Sequence, residues 1–191
     1  MSPRTKEQFT EMRKSARRKI MEAGLEFFAT EGYHLTSISK IAKRAGVSKG
    51  LMYNYFDSKE TLLREIMLDG LETLTTEFDP NRDGVLTNQE LIHFMRESIK
   101  MVKAHPDYWK LYFVVMYQSP ATTLFHDELM SAVNGYLSIL ERYFKTKGVR
   151  DPAAEARLFT SILDGVCVNF LHDQTNYPMD VVEERLIEMY S

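Results

Sequence analysis

An all-α fold is predicted by three features of this 191-residue chain. Apolar residues recur at three- and four-residue spacing in every long segment, and no stretch alternates apolar with polar residues as a half-buried strand would. Short polar turns carrying Gly or Pro (AGVS, DPNRDG, SPAT, KGVRDP) separate these segments. The length allows a small helical domain joined to a larger helical bundle, with a boundary expected near residue 63, so that residues 1–63 form the first domain and 64–191 the second.

Charge divides the same way. Residues 1–60 hold 12 Lys/Arg against 7 Asp/Glu, whereas the remainder holds 12 against 20. A basic N-terminal third suits a polyanionic partner, and an acidic remainder suits sensing or self-association. The single cysteine, Cys167, excludes an intrachain disulfide and lies in an apolar helical run, where burial is the expected state. The opening MSPRTKEQFTEMRKSARRK is too polar for a secretory signal, and charges interrupt every apolar run before it reaches the length of a membrane span. A cytoplasmic protein without a membrane segment is expected.

Residues up to Arg4 read as a positively charged arm, and Thr5 with Gln8 forms a capping box for a long first helix. Ile20, Ala23, Gly24, Phe27 and Phe28 give that helix its buried face, and Gly32 ends it. Arg13, Lys14, Arg17, Arg18 and Lys19 make its entrance cationic, a pattern that fits either a solvated face or backbone steering toward phosphates.

Residues 36–62, TSISKIAKRAGVSKGLMYNYFDSKETL, pack two short amphipathic helices around a glycine turn. Ser37 caps the first, Ile38, Ile41, Ala42 and Ala45 line its apolar face, and Gly46 ends it in the left-handed conformation. Ser48 caps the second, in which Met52 and Phe56 are buried together while Lys49, Gly50, Tyr53 and Asn54 face outward with Leu51 beside them. This is the layout of a helix-turn-helix reader of double-stranded DNA. Lys49 can donate to guanine or phosphate, Gly50 permits close approach, Tyr53 and Asn54 offer hydrogen bonds, and Leu51 can touch a thymine methyl. Ser37, Ser39, Ser48, Tyr55 and Lys59 complete the expected DNA-facing set; Asp57 and Glu60 form a capping box for the next helix, and Lys59 at its start is placed to hold a phosphate.

The segment TSISKIAKRAGVSKGLMYNYFDSKETLL, from Thr36 to Leu63, resembles the DNA-binding domain of the TetR family of repressors, and the preceding IMEAGLEFFATEGYHLTS has the same character. The resemblance implies a homodimeric repressor that binds a palindromic operator and is released by a small-molecule effector held in its C-terminal bundle.

Helices are then expected from Asp57 to Phe78, Thr87 to His105, Pro106 to Gln118, Thr122 to Lys147, Pro152 to Gln174 and Pro178 to Tyr190. Between the first two lies DPNRDGVLTNQE, residues 79–90, which satisfies the EF-hand loop pattern. Asp79, Asn81 and Asp83 would supply side-chain oxygens, Val85 a carbonyl, Thr87 a direct or water-mediated contact and Glu90 a bidentate carboxylate, with Gly84 at the sharp turn. Hard oxygen donors of this kind suit Ca²⁺, as an effector or as a structural brace. The flanks, Leu71, Leu74 and Phe78 before and Leu91, Phe94 and Met95 after, also resemble an EF-hand. The same residues support a plainer arrangement, since Thr87 and Glu90 also make a capping box and DG is an ordinary turn.

Phe94, Met101, Trp109, Tyr112, Phe113, Met116, Tyr117 and Phe125 are the residues that would line an effector pocket; the same types fill any helical core. The resemblance places dimerisation on residues 152–174 and 178–190, through Ala156, Leu158, Phe159, Ile162, Leu163, Val166 and Phe170 and through Val181, Val182, Leu186, Ile187 and Met189. An enzyme is not expected: there is no G-x-S-x-G elbow, phosphate loop or HExxH, and His34, His93, His105, His126 and His172 are scattered without ligand spacing.

Overall fold

The computed structural model describes residues 6–118 and 123–190. Its helices are α1 (Lys6–Thr30), α2 (Ile38–Ala45), α3 (Lys49–Tyr53), α4 (Lys59–Thr75), α5 (Asn88–Ala104), α6 (Pro106–Met116), α7 (His126–Thr146), α8 (Pro152–His172) and α9 (Met179–Tyr190), with no strand among the described residues. The all-α expectation is met. The Thr5 half of the expected α1 capping box and the SPAT turn lie outside the described residues. The chain divides into two compact units: residues 1–69 with 114–125, and residues 70–113 with 126–191. The second unit therefore begins six residues later than the sequence suggests and leaves residues 114–125 to the first.

The first unit is built on the faces the spacing predicts. Ile20, Leu25 and Phe28 of α1, Ile41 of α2, Met52 and Phe56 around α3, and Leu62, Leu63 and Ile66 of α4 are almost wholly buried. Burying a side chain of this size contributes about 1.5–3 kcal/mol, so these residues dominate the stability of so small a unit. α1 and α4 touch at Gly24, where an added Cβ would sit 2.9 Å from Leu62 Cδ2. The cap of α4 is Ser58, whose Oγ accepts from the Thr61 N–H at 3.0 Å, one residue beyond the Asp57 expected. α4 accordingly starts at Lys59.

In the second unit Leu91, Phe94, Met95, Ile99 and Val102 of α5 meet Trp109 and Tyr112 of α6, Leu140 and Phe144 of α7 and Phe159 of α8 in the buried set. α7 packs along α8, and α9 packs on α5 and α8. Gly70 of α4 marks a close helix crossing, since a Cβ there would fall 2.1 Å from Tyr112 Cε2. Pro152 opens α8 behind the Asp151 cap, which accepts from the Ala154 N–H at 3.0 Å.

Five of the α8 residues expected at a dimer interface belong instead to the chain's own core: Ala156, Phe159, Leu163, Val166 and Phe170 are buried, as is Leu186 of α9. α8 is apolar around more than one stripe, and the bundle claims one of them. Leu158, Val181 and Met189 remain exposed, at 51%, 60% and 63%, with Ile162, Val182 and Ile187 half-buried.

Candidate nucleic-acid interface and the 79–90 loop

α2 and α3 are set by three local interactions. Ser37 Oγ accepts from the Lys40 N–H, Gly46 takes φ 70° and donates to the carbonyls of Ala42 and Lys43, and Ser48 Oγ accepts from the Leu51 N–H at 3.1 Å. A left-handed residue bearing a Cβ costs roughly 1–2 kcal/mol, which explains glycine at this turn. Met52 then anchors α3 inward, fully buried, while Ser48, Lys49, Gly50, Leu51, Tyr53 and Asn54 are exposed on its other side. Ser37 and Ser39 are exposed on α2, and Tyr55 is half-buried with the Arg13 guanidinium 5.7 Å from its ring centre.

The basic residues separate into two groups. Lys40 and Arg44 are paired with Glu31 and Glu26 of α1, and Arg17 with Glu65 of α4. Lys43 and Lys49 form no ion pair among the described residues, so their charge is available to a partner. Lys59 is committed inward: its ammonium donates to the carbonyls of Tyr33 at 2.7 Å, Thr36 at 2.9 Å and, more weakly, His34 at 3.4 Å, and it sits 4.4 Å from the centre of the Tyr33 ring. Burial lowers its pKa. With its three N–H groups aimed at carbonyls it fastens the α1–α2 loop, and the phosphate contact expected of it is not carried by this geometry. Sequence spacing gave no sign of this, because the carbonyl partners lie more than twenty residues away.

In the 79–90 loop Arg82 and Gly84 adopt φ 57° and 72°. The Gly84 N–H donates to Asp79 Oδ2 at 2.9 Å, the Asp83 N–H to Asn81 Oδ1 at 3.1 Å, and the Val85 N–H to Asp83 Oδ1 at 2.8 Å. The capping box is formed: the Glu90 N–H donates to Thr87 Oγ, and the Thr87 N–H and hydroxyl donate to Glu90 Oε2 at 2.8 and 2.7 Å. With Glu90 turned to the helix start, Asp79, Asp83 and Glu90 do not converge. Among the described residues no group of three carboxylate, imidazole or thiol side chains is gathered as a metal site. One oxygen stands apart, since Asp79 Oδ1 is buried without a hydrogen-bond partner.

Of the expected pocket residues in the second unit, Phe94, Trp109, Tyr112 and Phe113 are buried in its core and Met101 is half-buried. In the first unit Phe125 is buried, Met116 half-buried and Tyr117 exposed at 68%, so Tyr117 lines no interior. A hollow of about 310 Å³ in the second unit is lined instead by Lys103, Phe170, Gln174 and residues 177–181. The sequence reading also passed over a buried polar cluster between α7 and α8. Asp164 has its carboxyl pushed up to about 6 by burial, and Cys167 its thiol to about 12 by burial and the Asp164 charge. Tyr136 is raised by burial and by that charge, against a hydrogen bond to Thr160. The available signal was an acidic residue in the core register of α8, four positions after Thr160 and three before Cys167.

Residues 20–66 match the family model described as bacterial regulatory proteins, tetR family. The chain is similar to the HTH-type transcriptional regulator UidR of Escherichia coli (strain K12), 32% identical over 83 residues, which are 44% of this chain and 40% of that protein. It is also similar to the fatty acid metabolism regulator protein of Bacillus subtilis (strain 168), 49% identical over 45 residues, 24% of this chain and 23% of that one. Both matches span less than half of the relative's length. Among solved structures, the fatty acid degradation regulator FadR from Bacillus halodurans has the same fold, with a TM-score of 0.73 at 22% identity over 92% of this chain and 94% of that one. No described helix is long and apolar enough to cross a membrane.

Proposed function

We propose, starting from a helix-turn-helix of the tetR type at residues 20–66, that this protein is a DNA-binding transcriptional regulator and not an enzyme. The observation that carries the reading is α3: Met52 locks it from within while Lys49, Gly50, Leu51, Tyr53 and Asn54 are turned out together. Such a short helix, held from behind, presents backbone and side chains to a major groove, and Ser37, Ser39, Ser48 and Tyr55 flank it toward the phosphates. The protein acts as a cytoplasmic homodimer. Leu158 and Ile162 of α8 with Val181 and Met189 of α9 supply the apolar face for a second copy, and two reading helices then select a palindromic operator. A small-molecule effector in the second unit releases the operator, which makes the regulator a repressor.

The test is fluorescence anisotropy on operator-enriched fragments across a salt series. The full chain is expected to bind with a steep salt dependence, and Lys49→Ala to weaken binding about 10-fold or more, as for loss of one bidentate base contact. Sequence-independent binding that Lys49→Ala leaves unchanged would remove the reading.

A second reading is favoured by one observation, the buried and unpartnered Asp79 Oδ1. In it the 79–90 loop takes Ca²⁺ through Asp79, Asn81, Asp83, Thr87, Glu90 and the Val85 carbonyl, either as the effector or as a brace. Calorimetry with CaCl₂ is expected to show heat that Asp79→Ala abolishes; equal heat from both proteins would sink it.

A further inference from the structure

The side-chain NH₂ of Asn81 stands between two carboxylates, 3.1 Å from Asp83 Oδ2 and 3.3 Å from Glu90 Oε1. An amide NH₂ has two donors and a partial positive charge, so here it offsets, from within the loop, the repulsion between two carboxylates that would otherwise face each other. It reaches only those two. Asp79 accepts from Gly84 through Oδ2, and its Oδ1 is left sealed from solvent with no partner. A buried carboxylate oxygen in that condition is costly, and a positive charge is what would satisfy it.

We propose that the Asn81 amide is the loop's internal substitute for a divalent cation, and that Ca²⁺ binds by exchange with it. The inference rests on the calcium reading given above and adds the residue that regulates the site. In the exchange Asn81 turns its NH₂ out and offers Oδ1, Glu90 Oε1 is freed from the amide, and Asp79 Oδ1 gains the partner it lacks. The Glu90 N–H bond to Thr87 Oγ, which starts α5, is compatible with both states. The loop is also fastened to α7, since Arg142 donates to the Gly84 carbonyl at 2.9 Å and the Tyr143 hydroxyl and Lys147 ammonium donate to Asn88 Oδ1 at 2.8 and 3.3 Å. The state of the loop should therefore register in the melting temperature of the protein.

The decisive variant is Asn81→Asp, which removes the donor and adds a carboxylate, examined in the full chain by thermal unfolding in EGTA and in CaCl₂ and by calorimetric titration with CaCl₂. The expected result is a lower Tm in EGTA, a larger Ca²⁺-induced rise than in the unmodified protein, and Ca²⁺ affinity raised about tenfold, since affinity in such loops follows the charge of the ligand set. Asn81→Ser, which removes the donor without adding charge, is expected to lower the EGTA Tm and keep Ca²⁺ binding; it serves where Asn81→Asp fails to fold. If the unmodified protein binds Ca²⁺ but both variants melt with it in EGTA, the substitute role of Asn81 is overturned while the calcium site stands. Absence of Ca²⁺ heat in the unmodified protein and in Asn81→Asp overturns the calcium reading and this inference together.

Discussion

The two units treat buried polarity differently. In the first, Thr36 is buried but its hydroxyl donates to the carbonyls of Gly32 and Phe27 at 2.8 and 3.1 Å, the Lys59 ammonium is shared among loop carbonyls, and Arg17 meets Glu65. In the second, Asp79 Oδ1 has no partner, and Asp164 is buried beside Tyr136 and Cys167 with no cation paired to it among the described residues. A unit whose inner polar groups are all answered has one arrangement to hold, which suits a surface that must present α3 at a fixed angle. A unit that leaves carboxyls unanswered keeps free energy in reserve for protons or ligands, which suits a sensor.

The sharpest way to break this contrast is to neutralise Asp164. Its carboxyl pKa is raised from 3.8 to about 6 in the folded protein, so the folded state favours the protonated form. Stability is therefore full below about pH 4 and falls as pH rises through about 6, with a total cost of about 3 kcal/mol at 1.36 kcal/mol per unit. Asp164→Asn should be more stable than the unmodified protein by up to that amount at pH 7.5 and about equal to it near pH 4, as read by urea unfolding at both values. If the difference is the same at both pH values, the carboxyl is not held in its acid form by burial.

Lys59→Met should show the opposite behaviour of the first unit. Removing a donor shared among carbonyls leaves those acceptors unserved and should lower stability by about 1–3 kcal/mol, with hydrogen exchange rising first at residues 31–36. DNA affinity should fall no further than that loosening requires. A large loss of DNA affinity with unchanged stability would return Lys59 to the phosphate role that its position suggested. Smallest are the caps: Ser37→Ala and Ser48→Ala should each cost about 1 kcal/mol of unfolding free energy, and the second should weaken DNA binding more, because Ser48 sets the start of α3.

Much of this was legible in the chain because it rests on local rules. Gly46 was readable as a left-handed turn and Thr87 with Glu90 as a capping box, since each involves residues within one helical turn. The spacing of Ile41, Met52 and Phe56 identified the inner face of the reader, and the residues left over identified the outer one. Asp57 failed as a cap because Ser58, one residue along, reaches the same free N–H groups equally well, and local chemistry does not choose between them. Tyr117 failed as a pocket residue because aromatic character says that a side chain can be buried, not that the fold buries it.

The sequence by itself determined the all-α class, the helix-turn-helix with its caps, and the twelve-residue pattern of the 79–90 loop, because periodicity, capping and turn chemistry act over a few neighbouring residues. Only the tertiary structure decided that α8 turns Phe159 and Leu163 into its own bundle and leaves Leu158 outside, that Lys59 faces carbonyls instead of solvent, and that Asp79 Oδ1 and the Asp164 carboxyl are shut away from water. Each of these depends on which distant segment packs against a residue, and burial and the pKa shifts that follow from it are properties of that packing.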